Sequence, residues 1–277
     1  MKARLTARAA IALASASAVA VTGLYMAPAH AARSTVVVVE SNTFTSLNPG
    51  TPDTNIVING DVGYLTTTPF FYYDDKANLI TNTTLGKATV VKNLATDFEV
   101  KYTIAAGRKW SDGAPITAAD LLLTHVISSS AYSKKAGLGD PTDSAVTPAF
   151  QSLGYGAVYD NHIVGLPTLS SDGMSITFKY DSKIPDYLLN GPGSPFPVHS
   201  LELLAAGKKT LPSVAEANAA TAKFVKDVTS YNTAALKDMG AVYSTGYNTT
   251  TVNSSTNPNL LVGNGMYTVD SVDANQI

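Results

Sequence analysis

The segment 96–104 alternates strictly between apolar and polar side chains, and this pattern constrains the fold more than any other in the chain. Its apolar positions share one face of an extended chain, and these positions are Phe98, Val100, Tyr102 and Ile104. Alternation with a period of two is typical of a strand that is buried on one face. The segment 174–181 repeats the pattern. The Ser171-Asp172-Gly173 turn before it predicts a hairpin with 161–166.

A β-branched run predicts another strand near the N-terminus. Residues 35–40 read TVVVVE, a continuous run typical of a strand that is buried on both faces of a sheet. The polar segment 41–50 follows it and ends in Asn48, Pro49 and Gly50, which favour a turn. Because ligands of open α/β sheets bind beyond the C-terminal ends of strands, this loop is a candidate binding segment.

Two helix starts carry the same capping pattern. Thr117 is followed three residues later by Asp120, and Ser213 is followed three residues later by Glu216. This spacing predicts a capping box, in which the hydroxyl accepts from the third helical amide while the carboxylate accepts from the amide of the capping residue.

Two further helices are predicted. Gly207 favours the end of a short helix over 201–206, and the segment 233–243 has helical character. Strands and helices are therefore interleaved along the chain. The predicted fold class is α/β, with sheet and helix packed in layers.

The first 31 residues have the three-part pattern of an export signal. Three basic residues lie within the first eight, an apolar stretch spans 9–21, and Ala29 and Ala31 supply the small residues that a signal peptidase accepts. The apolar stretch is too short and too rich in alanine to span a bilayer stably. We expect cleavage after Ala31 and export to the cell surface, the extracellular space or the periplasm. An uncleaved membrane anchor is the alternative.

Composition excludes several classes of partner and cofactor. The chain is 45% hydrophobic and 14% charged, has a formal net charge of −2 and contains no cysteine. This apolar share is not that of a disordered chain, and the lack of cysteine excludes a disulfide scaffold, thiol chemistry, a Cys-ligated metal and a lipid attached to a lipobox cysteine. Without a basic patch, the sequence does not predict binding to nucleic acid.

The sequence shows no catalytic constellation. No two histidines have the spacing of zinc ligands, and no nucleophile elbow, phosphate-binding loop or complete dinucleotide fingerprint occurs. We interpret His125, His162 and His199 as ordinary structural or surface residues, because a catalytic histidine needs a positioned nucleophile and a group that orients it. The sequence predicts no catalytic residue, no metal site and no cofactor.

The most informative stretch is 108–121, which reads RKWSDGAPITAADL. Its residues are those of a strand end, a tight Asp-Gly turn and a capped helix. The order W-S-D-G-x-P-I-T-A-x-D resembles the signature of extracellular solute-binding proteins of family 5, the oligopeptide-, dipeptide- and nickel-binding receptors of ABC importers. We interpret Trp110 as a packing residue behind the turn.

Other segments resemble the same family. Ser46-Leu47-Asn48-Pro49 is similar to its S-L-D-P segment, and Pro197-Val198-His199 resembles its proline-led entry to a helix. The segment 261–267 reads LVGNGMY and resembles its G-T-G-P-Y segment, and 175–178 resembles its T-x-x-F strand. The helical insertion over 213–243 is similar to actinobacterial members. The resemblance covers essentially the whole chain after the export signal.

The resemblance implies a periplasmic-binding-protein-like, type II clamshell fold. The implied boundaries are a signal peptide over 1–31, the first segment of lobe I over 32–66, the smaller subdomain of lobe I over 67–168, and a return segment of lobe I over 169–277. Because family members continue beyond the G-T-G-P-Y segment, the resemblance also implies a C-terminally truncated fragment whose second lobe is missing. A naturally shortened single-lobe binder is the alternative.

The resemblance implies a receptor with no enzymatic activity. Such a protein is the exported substrate-binding component of an ABC importer, a monomer that captures a short peptide or similar small solute and delivers it to a membrane permease. Thr43 and Phe44 match the position where family members line the cleft, so they are the candidate ligand-binding residues. Phe44 is equally well interpreted as buried core. A surface sensor or adhesion protein with the same fold and, less favoured, a secreted hydrolase are the alternatives.

Overall fold

Strands from widely separated parts of the chain form one antiparallel sheet in the computed structural model, which describes residues 39–153 and 157–273. A small two-stranded sheet comes first, with β1 at Phe71–Tyr73 and β2 at Leu79–Thr81. The larger sheet has the spatial order β3-β4-β6-β5, with β3 at Gly86–Leu94, β4 at Asp97–Ile104, β5 at Thr168–Leu169 and β6 at Ser175–Tyr180.

The two alternating segments are the inner strands of the larger sheet. Val100 on β4 lies opposite Val90 on β3 and opposite Phe178 on β6. The apolar positions of the two inner strands are all nearly inaccessible to solvent, and they are Phe98, Val100, Tyr102, Ile104, Ile176, Phe178 and Tyr180. Both predicted strands are confirmed. The burial of one face explains their period of two.

Strand β6 forms its hairpin with a different segment from the one that the sequence predicts. Strand β6 pairs with β5, and the predicted segment 161–166 contributes only an isolated bridge between Ile163 and Tyr180. The left-handed backbone of Gly165, with φ of 66°, interrupts the chain between that bridge and β5. Pro167 then follows, so 161–166 does not continue as a strand.

Helices cover the sheet and pack on one another. In the described part of the chain the α-helices are α1 at Val57–Thr66, α2 at Ala119–Ser128, α3 at Ser130–Lys135, α4 at Ala157–His162, α5 at Val198–Ala205, α6 at Val214–Thr229 and α7 at Thr233–Ala241. Helix α7 continues into a π-turn at Val242–Gly246, and a 3₁₀ turn follows at Pro258–Leu261. The two helices predicted over 201–206 and 233–243 correspond to α5 and α7. The α/β class is confirmed.

The core of the molecule lies between the sheet and helices α2, α5, α6 and α7. Their buried side chains form one cluster with the inner face of the sheet, and it includes Leu122, Leu201, Phe224 and Met239. A second, smaller cluster joins Phe44 to Ile58 and Val62 on α1 and to Val252 and Val272. Helix α1 is therefore anchored by its own small core.

The two predicted capping boxes differ. At α6 the box is complete, because the Glu216 amide donates to Ser213 Oγ over 3.3 Å and the Ser213 amide donates to Glu216 Oε2 over 2.8 Å. At α2 only the carboxylate half forms, with the Thr117 amide donating to Asp120 Oδ2 over 2.8 Å. The Asp120 amide donates to the Thr117 carbonyl instead, over 3.2 Å. The prediction that the Thr117 hydroxyl accepts a helical amide is wrong.

Parts of the sequence-based prediction concern residues outside the described ranges. The export signal, its cleavage site and all but the last two residues of the predicted strand 35–40 lie there. Of the unit Met1–Ser41, only 39–41 are described, without helix or strand. The described residues from Asn42 onward form a second compact unit. Within the described ranges, no helix is long and apolar enough to cross a membrane.

The larger sheet draws strands from both sides of the predicted boundary at 168/169. Strand β5 lies across that boundary, and β6, which follows it, pairs with β4 from the predicted smaller subdomain. The boundaries at 66/67 and 168/169 stay predictions.

Candidate functional site

The stretch 108–121 folds into a tight turn ahead of α2. The Trp110 amide donates to the Ala114 carbonyl over 2.8 Å, and Asp112 Oδ1 accepts from the Ala114 amide over 3.0 Å. Gly113 has φ of 89°, a left-handed conformation that glycine adopts without strain. The predicted Asp-Gly turn is confirmed, and Trp110 packs in the core as predicted.

A buried pair joins this turn to the proline-led segment. His199 Nε2 lies 2.9 Å from Asp112 Oδ2, and each side chain is 1% exposed. Burial raises the pKa of the Asp112 carboxyl, but hydrogen bonds from His199 and from the Ala114 amide outweigh burial and hold this pKa below its ordinary value. The imidazole therefore holds two distant segments together, in line with the structural interpretation of His199.

Asp120 makes a second link to the same segment. Its Oδ1 accepts from the Val198 amide over 3.2 Å, and its main-chain carbonyl accepts from the Phe196 amide over 3.0 Å. Burial raises the pKa of the Asp120 carboxyl to about 6. These bonds fix the residues before α5 against α2 and place Phe196 beside an open groove.

The segment 46–49 is fixed to the end of α7 through Asn48. Asn48 Nδ2 donates to the Tyr243 carbonyl over 2.8 Å, and Asn48 Oδ1 accepts from the Gly50 amide over 3.0 Å. The Leu47 amide donates to the Tyr247 carbonyl over 3.1 Å. An ionised aspartate has no donor for the first bond, so the amide of Asn48 suits this position.

Two glycines let the segment 263–267 lie directly on the C-terminal end of α1. The Asn264 and Gly265 amides donate to the Thr66 carbonyl over 3.2 and 2.9 Å. A Cβ on Gly263 would lie 2.5 Å from the Thr66 carbonyl oxygen, and one on Gly265 would overlap the Leu65 carbonyl oxygen. Only glycine permits this close approach of two backbones.

Two open grooves flank the C-terminal end of α1. The first, here called the proline groove, has a volume of about 410 Å³ and is lined among others by Pro49, Tyr64, Thr67, Pro195, Phe196 and Tyr243. The second, here called the tyrosine groove, has a volume of about 430 Å³ and is lined among others by Tyr64, Thr68, Tyr72, Arg108, Asn264 and Tyr267. Two of the segments that resemble the family, 46–49 and 261–267, thus meet at the end of one helix.

The tyrosine groove presents aromatic surface to solvent. Tyr64, Tyr72 and Tyr267 are 61%, 39% and 58% exposed, and Met266 beside them is 89% exposed. Exposed aromatic side chains that converge on a groove are typical of a surface that binds a ligand, because they offer large contact area at a low cost in side-chain entropy. Arg108 supplies a positive charge at the same groove.

The structure places Thr43 and Phe44 beside α1 but not in either groove. Thr43 is exposed, whereas Phe44 is 2% exposed and packs on Ile58 and Val62. With the side chain of Phe44 in this position, contact with a ligand requires a change in the packing around it. That the two residues bind a ligand stays a prediction.

Sequence reasoning did not identify the residues of the tyrosine groove as a site. Tyr64 lies on α1, Tyr72 on β1 and Arg108 in the loop after β4, and Tyr267 follows Arg108 by 159 positions. The sequence shows aromatic residues at the ends of helices and strands. It does not indicate which of these residues lie close together in the folded chain.

The other histidines lie away from the grooves. His125 Nδ1 is 3.1 Å from the Tyr159 hydroxyl in the core, where burial lowers the pKa of the imidazole to about 3. His162 Nδ1 is 2.8 Å from Asp181 Oδ1 at the surface. Among residues 39–153 and 157–273, no three His, Asp or Glu side chains are close enough to hold a metal ion.

Comparisons with known proteins agree with this architecture. No protein-family model matches the sequence, and no curated protein matches it significantly. A periplasmic EDTA-binding protein, EppA, superposes with a TM-score of 0.51 at 17% identity, over 84% of this chain and 33% of that protein.

Two other solved structures are more distant. One is an oligopeptide-binding protein from Thermus thermophilus complexed with a pentapeptide, with a TM-score of 0.41, 13% identity, 81% of this chain and 33% of that protein. The other is a periplasmic oligopeptide-binding protein of an ABC transporter from Thermotoga maritima bound to mannohexaose, with a TM-score of 0.43, 18% identity, 86% of this chain and 33% of that protein.

The chain therefore spans about a third of the length of each of these solved structures. The resemblance predicted from the sequence is confirmed at the level of the fold, on the likeness to the EDTA-binding protein. The described part of the chain has the α/β fold of the periplasmic binding proteins.

Proposed function

We propose that this chain belongs to the exported substrate-binding component of an ABC importer, which captures a short peptide or similar small solute and delivers it to a membrane permease. The observation that carries the proposal is the tyrosine groove, an open site of about 430 Å³ on a fold shared with a periplasmic binding protein. Receptors with this fold do no chemistry, so their function lies in the shape of the site and in the closure of two lobes over a solute.

The groove suits a solute that has both flat apolar parts and a polar group. The faces of Tyr64, Tyr72 and Tyr267 offer contact to apolar parts. Thr67 and Thr68 at its floor belong to an extended connection between α1 and the small sheet. The Thr67 and Thr68 amides are bonded within the chain, to the Gly63 carbonyl and to Asn264 Oδ1, so a polar group of the solute is bound by side chains such as Arg108.

Thr43 and Phe44 remain proposed ligand contacts, although neither lines the tyrosine groove. Phe44 belongs to the small core that anchors this helix. We propose that Thr43, whose side chain is exposed, makes the direct contact and that Phe44 acts by fixing the loop that carries it.

A titration followed by nuclear magnetic resonance tests the proposal. The ¹⁵N-labelled protein is titrated with a mixture of di- to pentapeptides. Because one lobe contacts only one side of a solute, we expect dissociation constants in the millimolar range. Amide shifts should concentrate at Leu65, Thr67, Thr68 and Met266, and the helix α6 should be unaffected.

A matched pair of variants locates the binding surface. Tyr267→Ala removes an aromatic side chain from the tyrosine groove, and Tyr73→Ala removes one of similar exposure, 54%, that does not line it. We expect weaker peptide binding only in Tyr267→Ala. The absence of any shift at groove residues up to about 10 mM peptide would overturn the proposal.

A further inference from the structure

Arg108 is the cationic side chain of the tyrosine groove, and its charge is unpaired within the described residues. It follows strand β4 in the chain and lines the groove. No ion pair in the described ranges includes it. Its Nε is buried and has no hydrogen-bond partner among the described residues. Because a half-buried guanidinium without an anionic partner is less favourable than a paired one, the groove favours an anion at this position.

The two asparagine side chains of the groove are already engaged. Asn264 Oδ1 accepts from the Thr68 amide over 2.9 Å. Asn82 Nδ2 donates to the Pro69 carbonyl over 3.0 Å, and Asn82 Oδ1 accepts from the Thr84 hydroxyl over 2.6 Å. These bonds hold the groove walls in place. Besides the tyrosine hydroxyls, Arg108 is left as a donor to a solute, and it is the charged one among the groove-lining residues.

The charge of the groove is one-sided. No aspartate or glutamate of the described residues lines it, although the chain as a whole has a formal net charge of −2. A guanidinium presents five N–H donors in a planar fork that matches the two oxygens of a carboxylate. Partial burial strengthens such a charge-assisted bond, because the local dielectric constant is lower than that of water.

We propose that the tyrosine groove selects solutes that carry a carboxylate, with the Arg108 guanidinium binding that group and the tyrosine faces contacting the apolar part beside it. This inference rests on the proposed function. A short peptide with a free C-terminus fits the chemistry, since its terminal carboxylate lies next to the last side chain. A peptide whose C-terminus is amidated lacks the charge that Arg108 requires.

The test compares one tyrosine-containing tripeptide with its C-terminal amide, by the same ¹⁵N titration. In the unmodified protein we expect the free acid to bind about tenfold more tightly than the amide. Arg108→Gln should abolish this preference by weakening the free acid alone, and Arg108→Lys should restore part of it. Inorganic phosphate, as a competitor, distinguishes a carboxylate-selective site from one that takes any anion. Displacement of the tripeptide by an equal concentration of phosphate would contradict the carboxylate assignment.

Lys109→Gln is the matched control. Lys109 is exposed, adjacent in sequence and not among the groove-lining residues, so its loss changes the net charge equally but should keep the preference for the free acid. Equal binding of acid and amide to the unmodified protein, which needs no variant, would overturn the inference while leaving the proposed function intact. Failure of both peptides to shift any groove amide would overturn the proposed function and the inference together.

Discussion

Helices α2 and α6 begin with the same sequence pattern, but the hydrogen bonds at their N-termini differ. At α6 the hydroxyl of Ser213 and the carboxylate of Glu216 exchange hydrogen bonds with each other's amides at the surface. At α2 the carboxylate of Asp120 is buried and also accepts a hydrogen bond from the Val198 amide, 78 residues away. A capping pattern thus predicts that a helix starts. It does not indicate whether its carboxylate acts locally or as a link between distant segments.

Burial accounts for the opposite electrostatics of these two carboxyls. Burial raises the pKa of Asp120 to about 6. A hydrogen bond from Lys208, followed by bonds from Ser213, lowers the pKa of Glu216 to about 2. Folding therefore favours the neutral form of the Asp120 carboxyl and the charged form of the Glu216 carboxyl. Three predictions use this contrast.

The largest effect is expected for Asp120→Ala. The substitution leaves the Thr117 and Val198 amides without an acceptor in the core, so the free energy of unfolding should fall by about 3 kcal/mol. Urea denaturation measures it. Glu216→Ala is the control on the other helix and should cost far less, because the amide it exposes can bond to water. Similar losses for both variants would contradict the link assigned to Asp120.

The second prediction concerns pH. With a pKa of 3.8 in the unfolded chain and about 6 in the folded one, Asp120 binds its proton more tightly after folding. Its contribution to stability is therefore fully present below pH 4 and is lost as pH rises through 6, on the order of 3 kcal/mol.

Asp120→Asn isolates this contribution, because asparagine keeps the shape and does not titrate. The difference in unfolding free energy between the unmodified protein and Asp120→Asn should decrease from pH 4 to pH 7. Glu216→Gln should show the reverse dependence, since the lowered pKa of Glu216 gives stability that is present above pH 4.5 and lost as pH falls through 2. A flat difference for Asp120→Asn would show that this carboxyl stays ionised throughout.

The smallest expected effect separates the two capping hydroxyls. Ser213→Ala removes an oxygen that accepts the Glu216 amide and should lower the unfolding free energy by about 1 kcal/mol. Thr117→Ala removes a hydroxyl that makes only a long, 3.4 Å contact with Asp120, so it should cost only about a few tenths of a kcal/mol. Thermal denaturation of the pair checks the order. A larger loss for Thr117→Ala than for Ser213→Ala would indicate that the full capping box forms at α2.

The parts of the fold that local patterns determine were predictable. The alternation in β4 and β6 reports which face is buried, and that face is the core of the sheet. Ser213 and Gly207 act within one turn of the chain, so their roles at α6 and after α5 follow from sequence alone. The partner of β6 was not predictable, because the short pairing with β5 depends on how the loop after Ile163 closes.

The candidate site was less predictable for a physical reason. Its walls come from the end of α1, from the small sheet and from the segment 263–267, and their convergence is decided by packing between distant residues. The resemblance indicated the segments 46–49, 108–121, 175–178, 197–199 and 261–267. It did not identify Arg108 or Tyr72 as residues of a binding site, because their side chains line one groove only in the folded chain.

The contact between 263–267 and α1 determines which residues of the groove can be substituted without disturbing its backbone. Main-chain bonds to Thr66 and bonds between Asn264 and Thr68 hold it in place, and the two glycines bring no side chain into the contact. Met266 and Tyr267 project from this fixed edge and are mostly exposed. Their replacement alters the chemistry of the groove without rebuilding its frame. The edge is thus a natural position for redesigning solute preference, one side chain at a time.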